Sequence, residues 1–407
     1  ETGSRRMTQS FILIGIDDKE QPRLQAEVLQ LMSSSRRFSG GARHYEIVKS
    51  LLPDRHEWIP ITVPLSRVFE QYDCCFAESD EPIVVFVSGD PLFFGFANTI
   101  MRERPEASLR LCPYFNSLQL LAHRIPMRYD DMCIVSLTGR PWQELDRALI
   151  NHAPKIGVLT DRQHTPATIA RRLLAYGYTN YRMFVGEHLG NAEREQVRLL
   201  SLEEAAQGSF EMPNNLILQA EVTTPRLFGI PDEAFEHLNG RSRMITKMPI
   251  RLLSLQAMDL PRRHVMWDVG FCTGSISIEA RLQFPHLTIC SFEIRPECES
   301  LMETNCRRFG APGIQPFIGD FMETDISNLP APDAIFIGGH GGKMKEIVGK
   351  LTQVMQPGGC IVFNSVSAES LALFEEAIHK AGLQIVMSRH IALDNYNPIT
   401  ILKAAAE

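Results

Sequence analysis

Short apolar runs alternate with stretches of helical spacing along the whole chain. Phe11 to Ile16 and Ile83 to Val87 are continuous apolar runs, and between them Leu24, Val28 and Leu31 recur every three to four residues. Further runs are Met132 to Leu137, Lys155 to Leu159, Arg182 to Gly186 and Asn215 to Gln219. Each has the length of a strand buried on both faces. Their alternation with helical segments predicts an α/β build with largely parallel sheets.

The regularity lapses from about Glu221 to Gly240, where Thr223-Thr224-Pro225, Gly229, Pro231 and Asn239-Gly240 are turn and breaker signals. A linker over 221–240 is expected, between a first domain at 7–220 and a second at 241–407. The alternation then restarts with Val265 to Val269, a glycine-bearing turn, a helix from about Ser275 and a strand over Leu287 to Phe292. Ala334 to Gly338 and Ile361 to Phe363 follow. Met344, Ile347, Leu351 and Val354 line one helix face, stopped by Pro357-Gly358-Gly359. Leu371, Phe374 and Ile378 mark another helix, closed by Gly382. The last two runs, Gln384 to Ile391 and Pro398 to Leu402, suit an antiparallel edge.

A length of 407 residues, 44% hydrophobic and 22% charged, excludes disorder as the main state and suits two or three domains. With 41 basic against 48 acidic residues the net charge is −7, which argues against a nucleic-acid-coating surface and leaves room for local basic patches. No apolar run has the length of a membrane span, so no membrane partner is expected. Glu1 to Arg6 lacks the apolar core of a signal peptide and reads as a cloning remnant ahead of a native start at Met7. Nine scattered cysteines with no C-x-x-C pair suggest reduced thiols and a cytoplasmic protein. The adjacent Cys74 and Cys75 read as packed or idle thiols.

The strongest local signal is Asp268-Val-Gly270-Phe-Cys-Thr273-Gly274-Ser-Ile-Ser-Ile-Glu279, placed where a strand hands over to a helix. Glycines there let the backbone approach a ligand. A second acidic residue, Glu293, ends the next strand 25 positions on, a spacing that suits a carboxylate on ribose hydroxyls. Gly319-Asp320 follows a third strand and is placed to border an adenine. A dinucleotide site would require G-x-G-x-x-G so that a pyrophosphate meets the helix N-terminus. Here the middle glycine is absent and Asp268 would oppose a phosphate. S-adenosylmethionine has no phosphate and carries a cationic amine and a sulfonium, so it is the better fit.

Thr246 within Ile245-Thr246-Lys247, the Asp268–Glu279 motif and Gly338-Gly339-His340-Gly341-Gly342 resemble the C-terminal half of the decarboxylating precorrin-6Y C(5,15)-methyltransferases of the cobalamin pathway. The first half resembles their N-terminal half, a tetrapyrrole (class III) methylase. It does so through Gly40-Gly41-Ala42-Arg43-His44, Ser88-Gly89-Asp90-Pro91-Leu92-Phe93-Phe94-Gly95, Leu159-Thr160-Asp161 with Thr165-Pro166, Gly186-Glu187-His188-Leu189-Gly190 and Pro213-Asn214. The resemblance implies a first domain of two α/β subdomains with a cofactor in their cleft, then a class I Rossmann-like domain on a seven-stranded sheet. It implies one S-adenosylmethionine site per domain. The second would use Thr246, Asp268, Gly270, Thr273, Gly274, Glu293, Gly319 and Asp320; the first Gly15, Gly89, Asp90, Leu92, Ser117 and Thr138. The chain departs from the family at Cys272, where glycine is usual, at Asp17 in Gly15-Ile16-Asp17, and at Tyr114-Phe115 beside the first cleft.

The implied reaction adds methyl groups to carbons 5 and 15 of a polycarboxylate tetrapyrrole and removes the ring C acetate as carbon dioxide. Methyl transfer is an in-line displacement that rests on positioning. No Ser-His-Asp or metal constellation is expected. His340, in the Gly-rich loop, is a candidate general acid or base, equally readable as a plain loop histidine, and Asn364 a weaker substrate-facing candidate. An acidic protein binding a polyanion needs local positive charge, and arginine forks suit carboxylates. Arg241, Arg243, Lys247 and Arg251 form one cluster, Arg36, Arg37, Arg43 and His44 another, with Arg140 alongside. The Asp90 turn is expected to shape the cofactor pocket through its backbone. Family members associate through their domains, so a homo-oligomer is expected. An RNA methyltransferase and a non-catalytic cofactor- or tetrapyrrole-binding protein are the competing readings. Net charge and the missing Asn-Pro-Pro-Tyr type motif oppose the first; Cys272 and Tyr114-Phe115 give room to the second.

Overall fold

The computed structural model describes residues 8–17, 19 and 22–406. The six residues read as a cloning remnant lie outside the described residues. By contacts the chain divides into two compact units. One holds the residues up to Arg140 with Pro154–Ala170 and Arg182–Gln219. The other holds Ala220 onward and also Pro141–Ala153 and Arg171–Tyr181.

The first unit carries two five-stranded sheets. In the first sheet, β1 (Ser10–Ile16), β2 (Arg37–Gly40), β3 (Glu57–Pro60), β4 (Ile83–Ser88) and β5 (Ser108–Cys112) lie in the order β3-β2-β4-β1-β5. Every pairing is parallel. β1 and β4 are buried on both faces, which is why each reads as an unbroken apolar run. The second sheet comprises β6 (Cys133–Ser136), β7 (Lys155–Leu159), β8 (Tyr181–Glu187), β9 (Gln196–Leu200) and β10 (Asn214–Ala220), ordered β6-β7-β10-β8-β9. It corrects the expectation of largely parallel sheets: β6 pairs parallel with β7, but β10 runs antiparallel to β7 and β9 antiparallel to β8. Apolar runs give strand length, not strand direction.

The second unit holds a seven-stranded sheet of β11 (Val265–Val269), β12 (Thr288–Glu293), β13 (Ile314–Ile318), β14 (Ala334–Ile337), β15 (Cys360–Ser365), β16 (Gln384–Ile391) and β17 (Ile399–Ala405). The order is β13-β12-β11-β14-β15-β17-β16. The first five are parallel, and β17 and β16 close the sheet as the expected antiparallel edge. Alternate residues of β11 serve opposite faces. Val265, Trp267 and Val269 pack with the helices Met344–Val354 and Ala368–Lys380, and Met266 packs with Met248–Ala257 and Ser275–Gln283.

The stretch expected to be a linker is packed in its second part. Ile230, Phe235 and Leu238 are buried against Phe271, Ile278 and Met302. Its breaker residues set tight turns on a surface that is held, not a free tether. Among the described residues no helix is long and apolar enough to cross a membrane.

Candidate active site

The C-terminal ends of the parallel strands β11, β12 and β14 open on a cleft of about 660 Å³ in the second unit. It is lined by Thr246, Asp268, Gly270, Thr273, Glu293, Gly319, Asp320, His340 and Asn364, and by the basic Arg243 and Lys247. This is where open α/β sheets bind ligands.

The turn after β11 explains its glycine. Gly270 has φ +80°, and a Cβ there would lie 2.5 Å from the backbone nitrogen of Gly339. The β11 and β14 loops therefore touch backbone to backbone, tied by Gly338 N–H donating to Val269 O at 2.7 Å. Gly274 does not line the cleft. It starts the helix Ser275–Gln283, and a side chain there would run into Met302 Sδ. Thr273 is held from outside: its carbonyl accepts from Asn305 Nδ2 at 2.9 Å, and the same side chain exchanges two further bonds with the backbone of Glu236.

Asp268 is 1% exposed. Its Oδ2 accepts from Ser277 Oγ at 2.5 Å, while Oδ1 is buried with no partner. Burial, with Glu293's charge adding to it, pushes this carboxyl up to about 7. Glu293 is buried and fully occupied. It accepts from the backbone N–H of Cys272, Ile294 and Arg295 and from the Arg295 guanidinium at 3.2 Å. Asp320 accepts from Met322 N–H at 3.0 Å and pairs with Lys343 at 3.0 Å; both bonds hold it below the usual carboxylate range.

His340 is half-buried, and burial lowers its pKa from the ordinary imidazole value. Its Nδ1 accepts from Gly342 N–H at 3.2 Å, so the neutral ring carries its proton on Nε2. Asn364 is bonded through Nδ2 to Ser254 Oγ at 2.9 Å. Lys247 donates to Ser242 O at 3.2 Å and lies over the Tyr396 ring, 4.9 Å from its centre.

Arg251 is corrected. It is fully buried, bonds to Glu279 at 2.9 Å and Asp232 at 2.6 Å, and offers no cation to a substrate carboxylate. A lone sequence cannot distinguish a buried guanidinium with two carboxylates from a solvated one. Arg37 is likewise withdrawn, buried in β2 and donating to Ser79 O. Lys343 and Tyr396, which line the cleft, were not anticipated, because a lysine after a Gly-rich loop and a tyrosine between two edge strands carry no motif.

In the first unit, the ends of β1, β4 and β5 converge. Gly15 lies so close to the Gly89 carbonyl that a Cβ would collide with it. Gly89 N–H donates to Ile16 O at 2.9 Å, and Tyr114 N–H to Gly89 O at 3.2 Å. Asp90 Oδ1 accepts from Leu92 N–H at 2.9 Å, so its side chain shapes the turn. Ser117 is exposed at the start of the helix Ser117–Arg124, which Asn116 caps. Thr138 donates to Thr160 O at 2.9 Å, at the end of β6. Asp17, the departure noted in Gly15-Ile16-Asp17, follows the end of β1. Its Oδ1 is buried without a partner, its Oδ2 is 3.5 Å from Lys19 Nζ, and burial together with its charge raises Tyr114.

His44 accepts at Nδ1 from Gly41 N–H at 3.2 Å, so its Nε2 donates to Ser88 Oγ at 2.9 Å. It thus braces the strand end next to Gly89. Arg43 is exposed in the same helix, Ala42–Val48. Arg140 is exposed and stacks over Phe94 at 5.3 Å.

These residues fit S-adenosylmethionine in the second unit. A buried carboxylate oxygen lacking a donor suits a cationic ligand, and the Gly270–Gly339 approach leaves bare backbone at the cleft floor. In the first unit, Asp17 Oδ1 and the Gly15–Gly89 approach are the matching features.

Two family models match the chain: the tetrapyrrole (corrin/porphyrin) methylases over residues 25–206 and the precorrin methyltransferase domain over residues 233–405. A Sinorhizobium protein named precorrin-6Y C(5,15)-methyltransferase (decarboxylating) is 30% identical over 384 residues, covering 92% of this chain and 89% of its own. Two separate Salmonella typhimurium enzymes match shorter parts. A cobalt-precorrin-6B C(15)-methyltransferase (decarboxylating) is 35% identical over 140 residues, 34% of this chain and 70% of its own. A cobalt-precorrin-7 C(5)-methyltransferase is 32% identical over 142 residues, 35% of this chain and 68% of its own.

Proposed function

Because the chain belongs to the family of decarboxylating precorrin-6Y C(5,15)-methyltransferases, we propose that it methylates carbons 5 and 15 of a precorrin-6Y-class tetrapyrrole and removes the ring C acetate carboxyl as carbon dioxide. Each half has its own S-adenosylmethionine site. Residues 7–220 serve carbon 5, and residues 241–407 serve carbon 15 and the decarboxylation. The observation that carries the reading is the unpartnered Asp268 Oδ1 beside the Gly270 turn.

The chemistry that S-adenosylmethionine supplies when bound is an electrophilic methyl group. The protein's part is to hold the nucleophilic carbon in line with it and to exclude water. Asp268 gives a fixed negative end for a cationic ligand. Glu293, buried and held by three backbone N–H groups, meets ribose hydroxyls by exchanging its bond to the exposed Arg295 guanidinium for them. Arg243 and Lys247 meet substrate carboxylates at the cleft mouth. His340, neutral and protonated on Nε2, donates a hydrogen bond to a carboxylate or to a carbon losing one; the conjugated macrocycle takes up the electrons that carbon dioxide leaves behind. In the first half, Arg43 and Arg140 take the corresponding carboxylate-facing role, His44 instead braces the strand end through Gly41 and Ser88, and Gly15, Gly89, Asp90, Leu92, Ser117 and Thr138 border the cofactor. The reading also includes a reducing cytoplasm, which suits nine free thiols. It further includes association of copies through their domains, and neither nucleic acid nor membrane as a partner.

The full chain, incubated with precorrin-6Y and S-adenosylmethionine and followed by mass spectrometry, should yield a product with two added methyl groups and one carboxyl fewer. A product bearing no added methyl would refute the proposal.

A further inference from the structure

The turn that carries Gly270 and the helix Glu297–Phe309 each bring one thiol to the carboxylate proposed for ribose. Cys272, Glu293 and Cys298 place their ligand atoms within 4.8 Å of one another. They come from three elements: the β11 turn, the end of β12 and the first turn of the helix Glu297–Phe309. We propose that these three side chains form a binding site for a thiophilic divalent cation of the zinc and cadmium class, and that filling it excludes S-adenosylmethionine from the second half. The exclusion rests on the proposed function; the cation site does not.

The geometry is close to what such an ion needs. A tetrahedral centre with metal–sulfur bonds of about 2.3 Å holds neighbouring ligand atoms about 3.8 Å apart. The three atoms, all within 4.8 Å of one another, therefore have to close by at most about 1 Å. Two thiolates and one carboxylate leave a fourth position for water, and thiolates select soft, borderline ions over magnesium or calcium. Cys298 is buried in the first turn of a 13-residue helix, and burial together with Glu293's charge raises both thiols, so the ion has to displace their protons. Cys272 and Glu293 line the cleft, so an ion can enter from it. Binding releases two thiol protons, and the ion takes both sulfur lone pairs.

Two contacts oppose it and sharpen the test. Cys272 Sγ lies 3.7 Å from Met244 O and has to turn away. The Arg295 guanidinium sits 3.2 Å from Glu293, but its side chain is 43% exposed and can move into solvent. Glu293 is the shared group: bound to an ion, it has no free face for a ribose.

The test uses the full chain carrying Cys74→Ser and Cys75→Ser, which removes the adjacent thiols outside the cleft. Cadmium ion is titrated and the thiolate-to-metal absorption followed. One equivalent of the band is expected, lost in Cys272→Gly and in Cys298→Ala, with at least about tenfold tighter binding in Arg295→Ala. Saturating S-adenosylmethionine should weaken cadmium binding at least tenfold, and zinc should displace the cadmium. A band unchanged by both cysteine substitutions overturns the site. A band indifferent to S-adenosylmethionine, in protein that binds S-adenosylmethionine without metal, overturns the exclusion. Absence of any S-adenosylmethionine binding in metal-free protein would count against the proposed function and leave the cation site standing.

Discussion

Asp17 and Asp268 stand in comparable places, each at or just past the C-terminal end of an interior strand with parallel neighbours, and each keeps one buried carboxylate oxygen without a partner. Their surroundings differ. Asp268 is walled by a closed network: Ser277 bonds it, Ser291 bonds Ser277, and Glu293 adds a second negative charge. Asp17 has a lysine at 3.5 Å and Tyr114 beside it, and the nearby Leu92, Phe94 and Phe115 are 46–49% exposed. The second pocket is fixed before any ligand arrives. The first presents apolar side chains to solvent, which fits a wall completed by a large flat substrate.

That contrast can be broken most forcefully at Asp268. Asp268→Asn should lower carbon 15 methylation and decarboxylation by roughly 1000-fold, since it removes the fixed charge in a dry site. Carbon 5 methylation should stay within twofold, and mass spectrometry of the product from the full chain reads both. Equal loss of both methyl groups would mean that the two sites do not act separately.

Gly15→Ala is the mirror experiment. Its Cβ would collide with the Gly89 carbonyl, so carbon 5 methylation should fall roughly 100-fold while carbon 15 methylation persists, as the strand end is forced apart. Asp17→Asn asks whether the looser site uses its orphaned oxygen at all. A loss of roughly tenfold in first-site affinity, measured by calorimetry, is expected from removing one partly screened charge.

The smallest effect is in pH. The folded Asp268 is raised to about 7, so between about pH 4 and pH 7 the native state holds a proton that the unfolded chain has released. Its contribution to stability is therefore lost as pH rises through that window. A cationic ligand favours the ionised form, so second-site affinity should rise with pH, by at most about tenfold per unit, and level off above 7. Denaturation midpoints of wild type and Asp268→Asn across the window, with calorimetry at each pH, check both signs.

How far the sequence could be read follows from which residues carry a unique physical demand. The strand pattern of β11, β12 and β14 and the Gly270 turn were legible, because buried parallel strands are unbroken apolar runs and a backbone-to-backbone approach tolerates only glycine. Glu293 was legible by position. The strands β2, β3, β5 and β9 were not: β3, β5 and β9 lie at sheet edges and mix polar with apolar residues, and β2 has only four residues, with Arg37, Ser39 and Gly40 among them. Arg251 misled for the opposite reason. A charge predicts solvent unless carboxylates far along the chain neutralise it, and Asp232 and Glu279 do so here. Asn305 gave no signal, since its three bonds join segments some 30 to 70 positions away.

Asn305 has a practical bearing on how the chain can be cut. Because one amide ties Glu236 to the Thr273 carbonyl, and Ile230 and Phe235 are buried among the same side chains, a fragment starting at Met248 would be missing part of its own interior. A fragment beginning at Ala220 would still lack Ile150 and Tyr176 from the same cluster, and a protease nick between Ile230 and Leu238 should loosen the Thr273 turn without touching a residue that lines the cleft.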